Sequence, residues 1–223
     1  MRRFIVKSVL VLLGLAILGV LMLRGCVSVP TERAGLTLET RNESIQNTLD
    51  VINNAQELRI VERWYLIGAA FRVYADGNRV GLITGERIRL LTETLSFHNN
   101  DGILIKTLQS EIALLTPYHW QHYDYTGNLT LRTQGRVGVF DRYDIRTSEG
   151  EGVGEVRQNF NPVRNQVTVR DPVGNDIFNI QADIFHITSA YTMSVLKVCE
   201  YITNLDGLLI MAANSSVKRD ARS

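Results

Sequence analysis

His119-Trp120-Gln121-His122 brings two imidazoles within three residues of each other, the spacing of a metal pair. On a helix such residues share a face, but on a strand residues three apart point to opposite sides. The flanking residues alternate as a strand does, so the two rings are expected to diverge. His98 and His186 each stand alone in strand-like runs and read as ordinary core or surface histidines. Asp141/Asp144 and Glu149/Glu151 are the closest carboxylate pairs, the raw material of glycosidase-type acid/base chemistry. Both flank turns, where acids are normally solvated. Gly150-Glu151-Gly152-Val153-Gly154 is glycine-rich, yet no Lys-Ser/Thr or helix start follows it and an acid sits where a phosphate would. It reads as a hairpin turn. No G-x-S-x-G elbow precedes a helix. Cys26 and Cys199 lie in unlike settings with no zinc spacing. No catalytic residue, metal or cofactor is therefore predicted, and the chain is expected not to be an enzyme, with a hydrolase of unknown type as an alternative that a cleft holding carboxylates or a Ser/His pair would bring forward.

Charge supplies one candidate surface. Arg132, Arg136, Arg142, Arg146 and Arg157, continued by Arg164 and Arg170, give the middle of the chain an arginine bias. On alternating strands these side chains would spread over an outer face, either as a solvated barrel exterior or as a surface meeting phospholipid headgroups or a protein partner. The whole chain has 24 Lys and Arg against 23 Asp and Glu. That balance argues against nucleic acid, which would call for a basic stripe. Apolar residues at 45% and charged residues at 21% are the proportions of a globular chain.

The elements that must hold these residues are mostly strands. FRVYADGNRVGLITGE, LSFHNNDGILIKTLQSE, YHWQHYDYTGNLTLRTQG, YDIRTSEGEGVGEVRQNF and VTVRDPVGNDIFNIQAD share one plan. An alternating strand enters a polar turn carrying glycine and a second alternating strand leaves it. The turn glycines are Gly77, Gly102, Gly127, Gly150 (or Gly152) and Gly174, about 25 residues apart. Each unit can bury one face only, so stacked units should share a core.

Met193 to Ala213 differs: Val195, Val198, Cys199, Ile202, Leu205, Leu209 and Ala212 recur at steps of three and four. A helix is expected there, with the sheet curled around it, and a filled lumen speaks against a lipocalin-like carrier. A shorter amphipathic helix is expected over Ser44–Leu58, after a polar linker from Val27 to about Arg41.

The N-terminus reads MRRFIVKSVLVLLGLAILGVLMLRGC. As a helix, Ile5 to Leu23 would span roughly 28 Å, close to the hydrocarbon thickness of a bilayer. Arg2, Arg3 and Lys7 ahead of it favour a cytoplasmic N-terminus and an extracytoplasmic barrel at the cell membrane. Three readings stand side by side: an uncleaved signal anchor, a lipoprotein signal ending in Leu23-Arg24-Gly25-Cys26 with Cys26 acylated, and a cleaved signal. The expected organisation is an anchor at 1–26, a linker and short helix at 27–57, a barrel with its helix at 58–213 and a disordered tail at 214–223.

FRVYADGNRVG, LSFHNNDGILIKTLQSEI, VTVRDPVGNDIFNIQAD and the closing VLKVCEYITNLDGLLIMAA together resemble the LURP-one-related and phospholipid scramblase group of the tubby C-terminal superfamily. The resemblance implies a closed antiparallel barrel of about twelve strands around a central C-terminal helix. It also implies binding of membrane lipids or tethering at membranes, with lipid scrambling as an alternative activity. The acidic calcium segment of scramblases is reduced here to Asp183 in ADIFHITSAYTMS, and their cysteine cluster has no counterpart.

Overall fold

The computed structural model describes residues 30–63, 69–85, 94–111, 119–136, 139–160, 165–183 and 190–220. The expected anchor, with Cys26, lies outside them. Among the described residues no helix is long and apolar enough to cross a membrane.

Twelve strands form one closed ring, every neighbour antiparallel: β1 (Glu57–Arg63), β2 (Ala69–Ala75), β3 (Asn78–Gly85), β4 (Thr94–Asn99), β5 (Leu104–Glu111), β6 (His119–Asp124), β7 (Leu129–Arg136), β8 (Val139–Thr147), β9 (Gly152–Phe160), β10 (Asn165–Arg170), β11 (Asp176–Asp183) and β12 (Ala190–Val195). Neighbours in sequence are neighbours in the ring, and β1 pairs with β12 to close it, leaving no free sheet edge. Alternation in sequence becomes alternation across the wall. Leu58 and Ile60 of β1, Leu95 and Phe97 of β4 and Phe178 and Ile180 of β11 are buried at two-residue spacing.

The glycine-punctuated hairpins all lie at one end of the ring. Asp76-Gly77 is a two-residue turn with both residues at positive φ, 45° and 82°, the mirror-image geometry that suits the twist of paired strands. The other four share a different device, in which a glycine N–H donates to the carbonyl three residues earlier: Gly102 to Asn99, Gly127 to Asp124, Gly150 to Thr147 and Gly174 to Asp171. Each leading side chain then accepts backbone N–H groups of its own turn. Asp124 takes Thr126 and Asn128, and Asp171 takes Val173 and Asn175. Of the two glycines expected for the fourth turn, Gly150 is the one at positive φ.

Helix α1 (Leu38–Asn54) lies across this hairpin end. It starts earlier than the Ser44 expected, because Thr37 and Thr40 cap it reciprocally, each hydroxyl accepting the other's backbone N–H. It stops before Leu58 because Ala55 turns extended and Leu58 is recruited to the inner face of β1. Ile45 and Ile52 face the barrel, and the Ser44 hydroxyl donates to Asp101 in the β4–β5 turn at 2.7 Å.

The C-terminal helix α2 (Asn204–Asp220) also corrects the expectation. It does not begin at Met193: β12 takes Ala190–Val195 to close the ring, and Met193 points inward opposite Leu58 and Ile180. Its backbone runs to Asp220, past the Ala213 limit expected for it. Every residue from Asn204 to Ala213 is buried. Asp206 touches β5 and β6, whereas Gly207 abuts Phe178 of β11 and Met193 of β12. β5 and β11 are half a ring apart, so one turn of helix reaches both walls and fills the lumen.

Candidate functional site

The densest polar chemistry among the described residues lies inside the barrel, where the helix begins. Asp206 Oδ1 stands 2.5 Å from Lys106 Nζ of β5 and 2.8 Å from His122 Nδ1 of β6. His122 Nε2 is 3.1 Å from the Thr133 hydroxyl of β7. The second carboxylate oxygen accepts the Thr203 backbone N–H at 3.1 Å and the Thr203 hydroxyl at 2.5 Å, while that hydroxyl takes the Asp206 N–H. Thr203-x-x-Asp206 is thus a capping box at the start of α2. Since a carboxylate only accepts, His122 carries its proton on Nδ1 and Nε2 accepts from Thr133.

All four groups are buried: Lys106 is 8% exposed, His122 0%, Thr133 4% and Asp206 1%. Burial pushes the Asp206 carboxyl up, but the Lys106 charge and the His122 hydrogen bond more than offset it and hold it below the usual carboxylate range. Burial also dominates at His122. It outweighs the opposing pull of Asp206 and, helped by Lys106, keeps the ring below 6.5 and neutral. The knot is therefore an ion pair with a neutral imidazole attached, complete in itself. It contains the ingredients of acid/base chemistry, but their partners are one another.

His119 and His122 do diverge as a strand requires, His122 facing the lumen on the buried side of β6 and His119 the other side. The knot itself could not be read from the sequence. His122 and Asp206 are 84 residues apart, and nothing local distinguishes Asp206 except its place three residues after a threonine. His98 is a buried histidine whose ring nitrogen bonds the Gly102 carbonyl at 3.3 Å, and burial lowers its pKa. His186 lies outside the described residues. Glu149 and Glu151 are exposed in the β8–β9 turn. No group of three or more metal-capable side chains assembles among the described residues.

Arg132, Arg142, Arg146 and Arg157 lie on the outer face of β7, β8 and β9, while Arg164 lies outside the described residues. Register sets Arg132 directly opposite Arg146 and Arg142 directly opposite Arg157. Arg136 lies at the far end of β7, opposite Val139. Between the arginine pairs, Asp144 stands opposite Glu155. Arg157 Nε is 2.5 Å from Glu155 and Arg146 is 3.9 Å from Asp144, while Arg146 also donates to the Gly150 carbonyl at 3.3 Å. Arg170 pairs with Asp176 at 2.6 Å. Among the described side chains of this face the arginines outnumber the acids Asp144 and Glu155, and directly opposed like charges repel unless an anion or an acid sits between them.

Comparison with protein-family models gives no match to this chain, and comparison with curated proteins gives none either. Fold and site together define a closed twelve-stranded antiparallel barrel with an enclosed helix and a self-satisfied polar knot where that helix begins.

Proposed function

We propose that the protein is a membrane-tethered, non-enzymatic barrel that works at a membrane surface, its outer arginine face binding phospholipid headgroups. The observation that carries this is the register opposing Arg132 to Arg146 and Arg142 to Arg157. Two guanidiniums facing each other across a strand pair disfavour the fold slightly, and a phosphate between them turns that cost into bidentate, charge-assisted bonds. The occupied lumen supports a scaffold over a carrier, and it offers lipid no route through the barrel. The apolar run at Ile5–Leu23, or an acyl chain on Cys26, would supply the tether. Sequence resemblance to the LURP-one-related and scramblase group agrees in kind.

The test uses full-length protein in neutral detergent micelles, titrated calorimetrically with short-chain phosphatidylserine. Binding should weaken about tenfold or more in an Arg132→Gln/Arg146→Gln variant, and should weaken with added salt. Equal affinity in wild type and variant would remove the arginine face from the account. Transbilayer movement of a fluorescent lipid in vesicles carrying the protein would favour the scrambling alternative instead.

A further inference from the structure

Several large apolar side chains are left exposed among the described residues. Val173 tips the β10–β11 turn, and Leu196, Val198 and Tyr201 lie on the link from β12 to α2. Tyr125 tips the β6–β7 turn, and Leu38 and Val51 lie on α1. The residues on the turns and on the link lie at the hairpin end, and α1 lies across it. Val173 and Val198 are 86% and 80% exposed, values that folding alone gives no reason for. The start of the β12–α2 link lies against the β10–β11 hairpin: the Leu196 N–H donates to the Ile177 carbonyl at 2.9 Å, and Lys197 Nζ reaches Asp171, two residues before Val173, at 3.1 Å.

The chain enters at this same end. The Arg33 N–H donates to the Asp101 carbonyl at 2.9 Å, and a Cβ on Gly102 would meet the Thr31 carbonyl oxygen at 2.4 Å. Residues 31–33 are thus pressed onto the β4–β5 turn. From Leu23 to Pro30, fully extended chain reaches at most about 25 Å, and from Cys26 about 14 Å. A twelve-stranded ring is on the order of 20 Å across. Whichever anchor holds, the hairpin end cannot stand far from the bilayer, and the exposed patch lies within reach of it.

Resting on the tethered-barrel reading, the geometry points to end-on docking: the hairpin end is the face applied to the membrane, with Val173, Leu196, Val198 and Tyr201 entering the interface of the lipid bilayer. Tyr201 suits the headgroup level, and Lys197 can extend its charge outward while its stem stays in apolar surroundings. The barrel wall then rises from the surface. Arg132 and Arg146, next to the β6–β7 and β8–β9 turns, are the arginine pair held nearest the headgroups.

The experiment places an environment-sensitive fluorescent amino acid at position 173, 198 or, as a wall control, the exposed Gln181, in the full chain with both cysteines intact. The protein is reconstituted in phosphatidylcholine vesicles with and without tail-brominated lipid, and flotation is read on the same samples. Docking is expected to give blue-shifted, strongly quenched emission at 173 and 198 and unquenched emission at 181. Flotation without quenching at 173 and 198 overturns end-on docking while leaving the tether intact. Failure to float overturns both. A photo-crosslinker at 198 that joins two chains in unquenched samples assigns the patch to a second copy and overturns bilayer docking.

Discussion

Asp206 answers to three elements at once. It neutralises Lys106 of β5, orients His122 of β6 and caps the first turn of α2. Removing one member of a buried pair leaves the other charged without a partner, which typically costs 3–5 kcal/mol. Asp206→Ala should therefore lose about 3–5 kcal/mol in urea unfolding, whereas Glu149→Ala, an exposed acid of the β8–β9 turn, should move the midpoint little. The knot also sets a pH dependence. His122 is neutral in the folded chain with its pKa lowered, so as pH falls through about 6.5 the unfolded chain takes up a proton that the folded one refuses. His122 alone should lower stability between about pH 7 and pH 5 with a slope of up to about 1.4 kcal/mol per unit. His98 acts with the same sign. His122→Gln should flatten the decline seen in urea midpoints across that range, and an unchanged slope would show that the imidazole contributes nothing to it. Asp206, held low, adds a further loss only below its ordinary value of 3.8.

At the scale of elements, the turns were legible and the termini of the helices were not. Asn99, Asp124, Thr147 and Asp171, each with glycine three residues on, announce their hairpins because the turn chemistry is local: one side-chain acceptor and one positive φ. The start of α2 was masked by a coincidence. Val195, Val198 and Ile202 keep helical spacing, but Val195 belongs to a strand whose pairing to β1 and β11 is decided by residues far away in sequence. Leu58 misled in the same way, its helical step from Ala55 overridden by the two-residue rhythm it shares with Ile60. Tertiary demand, here the need to close the ring, wins over local period. The cross-strand arginine pairs were half visible: the arginine bias shows in the chain, the register does not. Close fit between elements gives its own test. A Cβ at Gly207 would lie 2.7 Å from Met193 Sδ and 2.9 Å from Phe178 Cδ2, so the glycine lets α2 approach β11 and β12. Gly207→Val should overpack that seam and cost about 1–3 kcal/mol by thermal or urea unfolding. Gly207→Val/Met193→Ala, which makes room, should recover part of it.

For the whole molecule the decisive relation is that the helix is inside and the ring has no edge. Leu205, Leu208, Leu209, Ile210 and Met211 are nearly or wholly removed from water, each contributing roughly 1.5–3 kcal/mol in transfer terms. An outer helix could peel away by itself, but α2 cannot be wetted between Leu205 and Ala213 without parting strands, since β1 and β12 seal the wall beside it. Barrel and helix should therefore unfold as one cooperative unit. Amide hydrogen exchange tests this directly, because sub-global openings show up as amides that exchange with less free energy than global unfolding requires. The amides of Leu208 to Ala212 should exchange only through global unfolding, with protection that follows the urea-derived stability as denaturant is added. The turn around Val173, exposed and held by its own side chain, should exchange far faster. If the α2 amides opened well below the global value while β1 and β12 stayed protected, the helix would be leaving an intact ring, and the barrel would then have an interior to offer a ligand.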